Sequence, residues 1–576
     1  MNIHALLINR FSEALETMGV ENAPIPVSRS VRPEFGEYQF NGAMALAKQL
    51  RQKPRDIAEK IVEIVKLDDV ASKLEVAGPG FINVHLNNEW LANQCELALH
   101  DPRIGVAKSP EQTVVVDYSS PNLAKEMHVG HLRTTIIGDA VVKVLEFLGH
   151  KVIRQNHMGD WGTQFGMLLA HLSDKLEQEV AETALSDLED FYREAKVRFD
   201  DEEGFADRAR EYVVKLQGGD EKCLSLWEKF IDVSIAHSED VYKKLNVSLT
   251  RADIMGESAY NHDLANVISE LKEKGIAVED QGAQVVFIPE LADKEGNPAV
   301  YIVQKSGGGY LYATTDLAAM RYRSGTLNAD RTLILTDARQ ALHFKQTEIV
   351  GRKAGFMEEA QTYEHCPFGM MLGSDGKPFK TRTGGTVKLV ELLDEAVERA
   401  GKLIAERDND LSEDELAEVA RKVGIGAVKY ADLSKNRTTD YMFNWDTMLS
   451  FEGNTAPYLQ YAYTRVKSLF RKAGVAIETM PVDINIVEKQ EHALSVLLLQ
   501  FEEVVGLVSR DATPHVLCTY LYELASAFMS FYEACPMLKD GIDLKVRDSR
   551  LALSALVANT LSQGLNLLGI ETLEKM

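Results

Sequence analysis

Apolar residues recur at every third or fourth position along most of this chain, and short β-branched runs interrupt that rhythm in its middle. The spacing predicts helices over His4 to Met18 and Ala43 to Val65, with a β-like hairpin around GPGFINV, Gly78 to Val84. Thr113 to Tyr118 (TVVVDY) then reads as a strand. Beyond it Leu132, Ile136, Ala140, Val144 and Leu148 recur every four residues, Ile137, Val141 and Leu145 widen the same face, and Gly149 is a stop. Lys151 to Gln155 (KVIRQ) completes a strand, helix, strand unit of the length that a parallel crossover needs. Ligands of such sheets bind beyond the carboxyl ends of the strands.

From about Glu111 to Asn444 strands and helices alternate as in a doubly wound sheet, with a helical interruption after His171 and a second excursion around Gln281 to Pro298. From Thr455 the pattern is almost continuously helical, from TAPYLQYAYTRVKSLF to LALSALVANTLSQGLNLL, and no internal repeat is visible. The expected organisation is multidomain α/β. An α+β amino-terminal domain covers 1–108, a parallel-sheet domain covers 109–454 with inserts at about 171–245 and 275–300, and an all-α bundle covers 455–576.

Composition supports a globular protein of several domains: 576 residues exceed one ordinary core, and 45% of them are hydrophobic. No run of eighteen uncharged apolar residues is present, and Met1 to Met18 carries Glu13 and Glu16 at helical spacing instead of a secretion signal. No membrane partner and a cytoplasmic location are therefore expected, with the monomer as working unit. Cys95, Cys223, Cys366, Cys518 and Cys535 are scattered without zinc-ligand spacing, so no structural metal is expected.

The net charge of −24 looks unfavourable for a nucleic-acid partner. Its distribution weakens that objection. Residues 171–220 hold fifteen acids against seven bases, an acidic helical insert with a net charge of −8, whereas residues 455–576 hold fourteen against eleven.

The chemistry concentrates in Pro121, Asn122, Leu123, Ala124, Lys125, Glu126, Met127, His128, Val129, Gly130 and His131, which sit where the first strand turns into its helix. A helix N-terminus offers unpaired backbone donors to an anion, imidazoles add directional donors, and Gly130 lets the backbone come close to a ligand. Two histidines three apart can equally serve only to cap a helix.

The flanking residues carry a resemblance. PNLAKEMHVGH is similar to the HIGH motif of class I aminoacyl-tRNA synthetases, with Val129 in place of the usual isoleucine. The extended stretch SSPNLAKEMHVGHLRTTIIGDA resembles the arginyl-tRNA synthetase family specifically. GDWGTQFG, LYATTDLAA, KYADLSKNRTTDY and EGNTAPYLQYAYTR resemble further blocks of that family, so the likeness spans nearly the whole chain.

The resemblance implies a Rossmann-like catalytic domain, an amino-terminal domain that touches the tRNA elbow and a helical anticodon-binding bundle. It implies tRNA(Arg), L-arginine and ATP with Mg²⁺ as partners. His128, Gly130 and His131 would face ATP. Tyr312 and Asp316 would hold the guanidinium, Asp117 and Asn122 the α-amino group and its polar neighbours, and Gln340 would line the same pocket. Phe35, Tyr38 and Gln39, with Tyr461 and Arg465, are the implied tRNA contacts. On residue type alone the FGEYQFN aromatics could instead belong to a core, Asp316 could be a helix cap and Gln340 a solvated loop.

One departure stands out. The second class signature, KMSKS, is replaced by GSDGKPFKTRTGGT, so that its second lysine falls on Thr381. Charge must then come from Lys377, Lys380, Arg382 or elsewhere, and Lys125, in the phosphate-facing turn, is the expected substitute.

Overall fold

The computed structural model describes residues 2–30, 32–177, 185, 187–379, 387–407, 411–477 and 483–576. The chain divides into two compact units, one of Met1–Lys108 with Ser450–Leu567 and Glu571–Met576, the other of Ser109–Leu449 with Leu568–Ile570.

In the first unit the helix Ile3–Thr17 is started by Asn2, whose side chain accepts from the Ala5 amide, and buries Ile3, Leu7, Phe11, Ala14 and Leu15 along one face. That face lies on an antiparallel sheet of β1 (Val27–Arg29), β2 (Tyr38–Phe40), β3 (Ala71–Ala77) and β4 (Phe81–Leu86) in the order β1-β2-β4-β3, with Phe11 stacked on Phe40 at 4.5 Å. The predicted helix Ala43 to Val65 is in fact two, Ala43–Leu50 and Pro54–Ile64. Pro54 has no amide hydrogen and disfavours helical backbone before it, so it can only open a new helix.

Within the same unit the carboxyl-terminal residues form the helices Ala456–Ala473, Lys489–Leu499, Phe501–Asp511, His515–Ala534 and Leu544–Leu567. By length and composition Lys489–Asp511 is apolar enough to cross a membrane, but 56% of its apolar window is buried inside the protein, as in a core helix. Glu503 of this bundle accepts from Tyr38 Oη at 3.0 Å and from Arg29 Nε at 3.2 Å.

The second unit is built on a four-stranded parallel sheet: β5 (Thr113–Asp117), β6 (Lys151–Gln155), β10 (Arg331–Ile334) and β11 (Thr362–His365) in the order β11-β10-β5-β6. Such a sheet needs covering on both faces. The helix Leu132–Phe147 supplies part of the cover and is buried nearly all round, down to Arg133 and Asp139. Gly138 makes this possible, because a Cβ there would stand 2.3 Å from the Tyr118 ring. The second excursion is a small antiparallel sheet of β7 (Val278–Asp280), β8 (Ala283–Ile288) and β9 (Ala299–Gln304). The acidic insert contributes the helices Leu188–Asp201, Phe205–Gln217 and Glu221–Lys244.

Candidate active site

At the carboxyl end of β5 the backbone takes an unusual path. Ser119 and Ser120 both adopt left-handed conformations (φ 70° and 47°), each costing on the order of 1–3 kcal/mol. Their surroundings hold them there. The Ser119 amide donates to Thr134 Oγ1 (3.1 Å), the Ser120 amide to Asn156 Oδ1 (2.9 Å), and Ser119 Oγ lies 2.7 Å from the Tyr242 hydroxyl of the insert. This turn aims Asp117 and sends the chain into the histidine segment.

The two histidines cap the turn reciprocally. His128 Nδ1 accepts from the Gly130 amide (3.0 Å) while His131 Nδ1 accepts from the His128 amide (3.1 Å). With Nδ1 an acceptor in each ring, the proton of each neutral imidazole sits on Nε2, the donor left for a ligand. Burial lowers the His128 pKa, with help from the charge of Lys125, and burial with the neighbouring His128 takes His131 down to about 3. Gly130 serves mainly to leave room: a Cβ there would meet the His128 ring at 2.6 Å, and its own amide is already used.

Both histidines and Gly130 line a cavity of about 430 Å³, together with Thr336, Asp337, Gln340, Phe368 to Met371, Pro378 and Phe379. Gln340 therefore borders this cavity. Lys125 is not among its lining residues; the Lys125 ammonium lies 4.1 Å over the ring of Tyr192 in the insert. Lys388 pairs with Asp187 (2.8 Å) and Glu126 (3.4 Å), a second tie between the insert and the histidine segment. Lys380 and Arg382 lie outside the described residues.

A second cluster surrounds Asp316. The helix Tyr312–Arg321 places Tyr312 and Asp316 one turn apart, Tyr312 being 64% exposed. His343 Nε2 lies 2.6 Å from Asp316 Oδ2, and the His343 ring meets the Tyr312 ring edge-on at 4.8 Å. Glu257 is the residue that sequence reasoning missed. Burial first, then the charges of Asp316 and Asp160, push its pKa up to about 8.

Asp117 is fixed from two sides, by buried Arg323 Nη2 at 2.6 Å on Oδ2 and by Ser120 Oγ at 2.8 Å on Oδ1. Arg323 sits in a π-helical turn, Tyr322–Thr326, and also donates to Gln155 Oε1. Asn122 Oδ1 accepts from the Ala124 amide (2.9 Å) and from Gln164 Nε2 (3.1 Å), which leaves the Asn122 amide nitrogen as a donor.

The expected tRNA contacts separate. Tyr38 is 0% exposed with its hydroxyl on Glu503, so this ring is a core residue and cannot stack on a base. Phe35 is exposed, and Gln39 Nε2 is held by Asn83 Oδ1 at 2.7 Å. In the bundle the Arg465 guanidinium lies over Tyr461 (5.5 Å) and Tyr532 (5.4 Å).

Comparison with known proteins agrees with this geometry along the whole chain. Residues 94–445 match the family model "tRNA synthetases class I (R), catalytic domain", 459–576 the DALR anticodon binding domain and 5–86 the arginyl tRNA synthetase N terminal domain. The chain is 90% identical over its full length to the arginine–tRNA ligase of Alteromonas mediterranea and 65% identical to that of Colwellia psychrerythraea, each covered completely. The crystal structure of arginyl-tRNA synthetase from Plasmodium falciparum superposes with a TM-score of 0.87 at 29% identity, covering 100% of this chain and 99% of that one. The Thermus thermophilus arginyl-tRNA synthetase gives 0.84 at 25% identity, with both chains covered completely. The chain thus belongs to the arginyl-tRNA synthetase family, within class I of the aminoacyl-tRNA synthetases.

Proposed function

We propose that the residues of these two clusters divide between them the charging of tRNA(Arg) with arginine, the reaction of an arginine–tRNA ligase. The His128 and His131 Nε2–H groups donate to ATP phosphate oxygens, and the cavity beside them takes the rest of the nucleotide. One substrate carboxylate oxygen attacks the α-phosphorus, the bond from that phosphorus to the bridging oxygen breaks, and pyrophosphate leaves. A hydroxyl of the terminal ribose of tRNA then attacks the carbonyl carbon of arginyl-adenylate and releases AMP. Neither step needs an enzyme nucleophile, so positioning and charge neutralisation carry the catalysis.

The guanidinium is taken by Asp316 and Glu257, with Tyr312 beside them, because a fork of five donors is best met by carboxylates in a partly desolvated pocket. Asp117, whose oxygens keep lone pairs beyond those used by Arg323 and Ser120, receives the α-ammonium, and the Asn122 amide nitrogen donates to the substrate carboxylate. Gln340 borders the nucleotide cavity. Phe35 and Gln39, and Arg465 with Tyr461, contact tRNA.

Magnesium does not find a protein cage among the described residues. No group of three or more potential ligands comes together, and the one carboxylate lining the cavity, Asp337, is clamped by Arg339 at 2.8 and 2.9 Å. An ion carried in on the ATP phosphates would take its ligands from the nucleotide. The reaction runs in the cytoplasm, where its three substrates meet.

The observation that carries this reading is the reciprocal histidine cap, which leaves two Nε2–H donors on the wall of a nucleotide-sized cavity. Lys125, once it swings from its place over Tyr192 toward the phosphates, supplies with Lys380 and Arg382 the phosphate charge that Thr381 cannot. Arginine-dependent pyrophosphate exchange with tRNA present tests this: Lys125→Ala should lose about 30-fold in kcat/KM for ATP. An exchange rate near wild type would remove Lys125 from the mechanism.

A further inference from the structure

The guanidinium pocket of the proposed function is shaped by more than its acids. Asp316 has a histidine on each side. On one side His343 Nε2 stands 2.6 Å from Oδ2, its ring packed on Tyr301 at 5.9 Å and against Tyr312 at 4.8 Å. On the other side His157 Nε2 stands 3.8 Å from Oδ1. Both side chains are largely buried, at 13% exposure each against 17% for Asp316.

The partners of His157 decide its tautomer. Its Nδ1 lies 3.2 Å from the Met255 carbonyl oxygen, which can only accept, so the hydrogen bond requires the proton on Nδ1. Its backbone amide donates to Ser120 Oγ at 3.1 Å, and its ring packs against Tyr260 at 5.6 Å, which fixes the imidazole in this orientation. With that proton on Nδ1, the tautomer turns a bare Nε2 toward Asp316. The facing His343 ring has its proton on Nε2 and donates it to the far oxygen.

The result is two acceptors, His157 Nε2 and Asp316 Oδ1, 3.8 Å apart and beyond hydrogen-bond reach of each other, with no hydrogen bond to either atom among the described residues. Such a pair calls for a group that donates in two directions at once. One terminal NH₂ of a guanidinium does so. A ureido oxygen placed there would face acceptors on both sides.

We propose that His157 is a specificity-determining residue that accepts a guanidinium N–H alongside Asp316, and that His343 is the positioning residue that turns Asp316 to meet it. The inference rests on the assignment of Asp316 to the guanidinium. His157 lies 159 residues before Asp316 in sequence and is brought to it by a segment that the Asn156–Ile254 bridge and the Ser120 contact help to hold in place.

The test is steady-state exchange with the full chain and tRNA present, varying arginine and ATP separately. His157→Leu should raise the KM for arginine about tenfold, as for a lost bond to a charged group, and leave the KM for ATP alone. His157→Gln carries an amide oxygen where Nε2 stood and should return the arginine KM to within about threefold of wild type, whereas the shorter His157→Asn should behave like leucine. A glutamine variant no better than leucine would overturn the inference, and so would an unchanged arginine KM in His157→Leu. A parallel rise in the KM for ATP would do the same, by marking a purely structural role. Asp316→Asn separates the two layers of the argument: a near-wild-type arginine KM there removes the pocket assignment itself, while a large rise beside an unaffected His157→Leu overturns only the role of His157.

Discussion

The side of this site proposed for phosphate and the side proposed for the guanidinium meet opposite charges by the same means. On the phosphate side the His131 pKa is held down to about 3 and that of His128 is lowered as well, so the rings wait as neutral donors. On the guanidinium side Glu257 is held up to about 8, so before arginine arrives it retains its proton. Burial is the first cause in all three. Each half thus avoids an uncompensated buried charge while empty. The two halves differ once substrate binds: the imidazoles donate without ionising, whereas Glu257 must release a proton to pair with a cation.

The sharpest way to break that comparison is to remove charge from the guanidinium side alone. Asp316→Asn should raise the KM for arginine by about 100-fold or more while leaving the KM for ATP near wild type, since one partner of a desolvated pair is lost. Parallel changes in both constants would show that the two halves are not separable.

The pH dependence comes next. Glu257 carries a proton below about pH 8 in the empty pocket, and a bound guanidinium lowers that value. Arginine binding therefore releases a proton at neutral pH, and the KM for arginine should fall as pH rises from 6 toward 8 and level off above. Glu257→Gln should have a flat profile, with a KM about tenfold above wild type at pH 8 and close to it at pH 6. An unchanged slope in the variant would assign the titration to another group.

The smallest expected effect concerns Lys125, held over Tyr192 away from the nucleotide cavity. Tyr192→Leu removes a contact worth about 0.5–1 kcal/mol, so it should change the KM for ATP by no more than about fivefold, while Tyr192→Phe keeps the ring face and the wild-type value. A Tyr192→Leu effect that persists in a Lys125→Ala background would detach the ring from that lysine.

How much of this was legible depends on whether a signal lies along the chain or across it. The strand Thr113–Asp117, the helix Leu132–Phe147 and the strand Lys151–Gln155 follow from periodicity, because each buries its own face. His128, His131, Tyr312 and Asp316 were marked by local blocks. Glu257, His157, His343 and Arg323 were not, since their importance comes from partners up to 206 residues away, as for Arg323 and Asp117. Nor does any pattern announce that two consecutive serines adopt left-handed backbone; only the bonds from Asn156, Thr134 and Tyr242 make that conformation tenable. Tyr38 goes the other way: the resemblance implied a tRNA contact, residue type left a core role open, and its ring fills a core.

The π-helical turn Tyr322–Thr326 has a consequence of phase. A π turn uses about one residue more than an α turn, and one residue of helix is about 100° of rotation. The helix is regular from Asp316 up to Tyr322, so Arg323 reaches Asp117 in ordinary helical phase with Asp316, and the extra residue changes the phase of the chain that follows, toward the strand Arg331–Ile334. A single deletion between Ser324 and Thr326 would restore a regular helix and rotate the chain leading into the central strand Arg331–Ile334, without altering any group proposed to touch arginine.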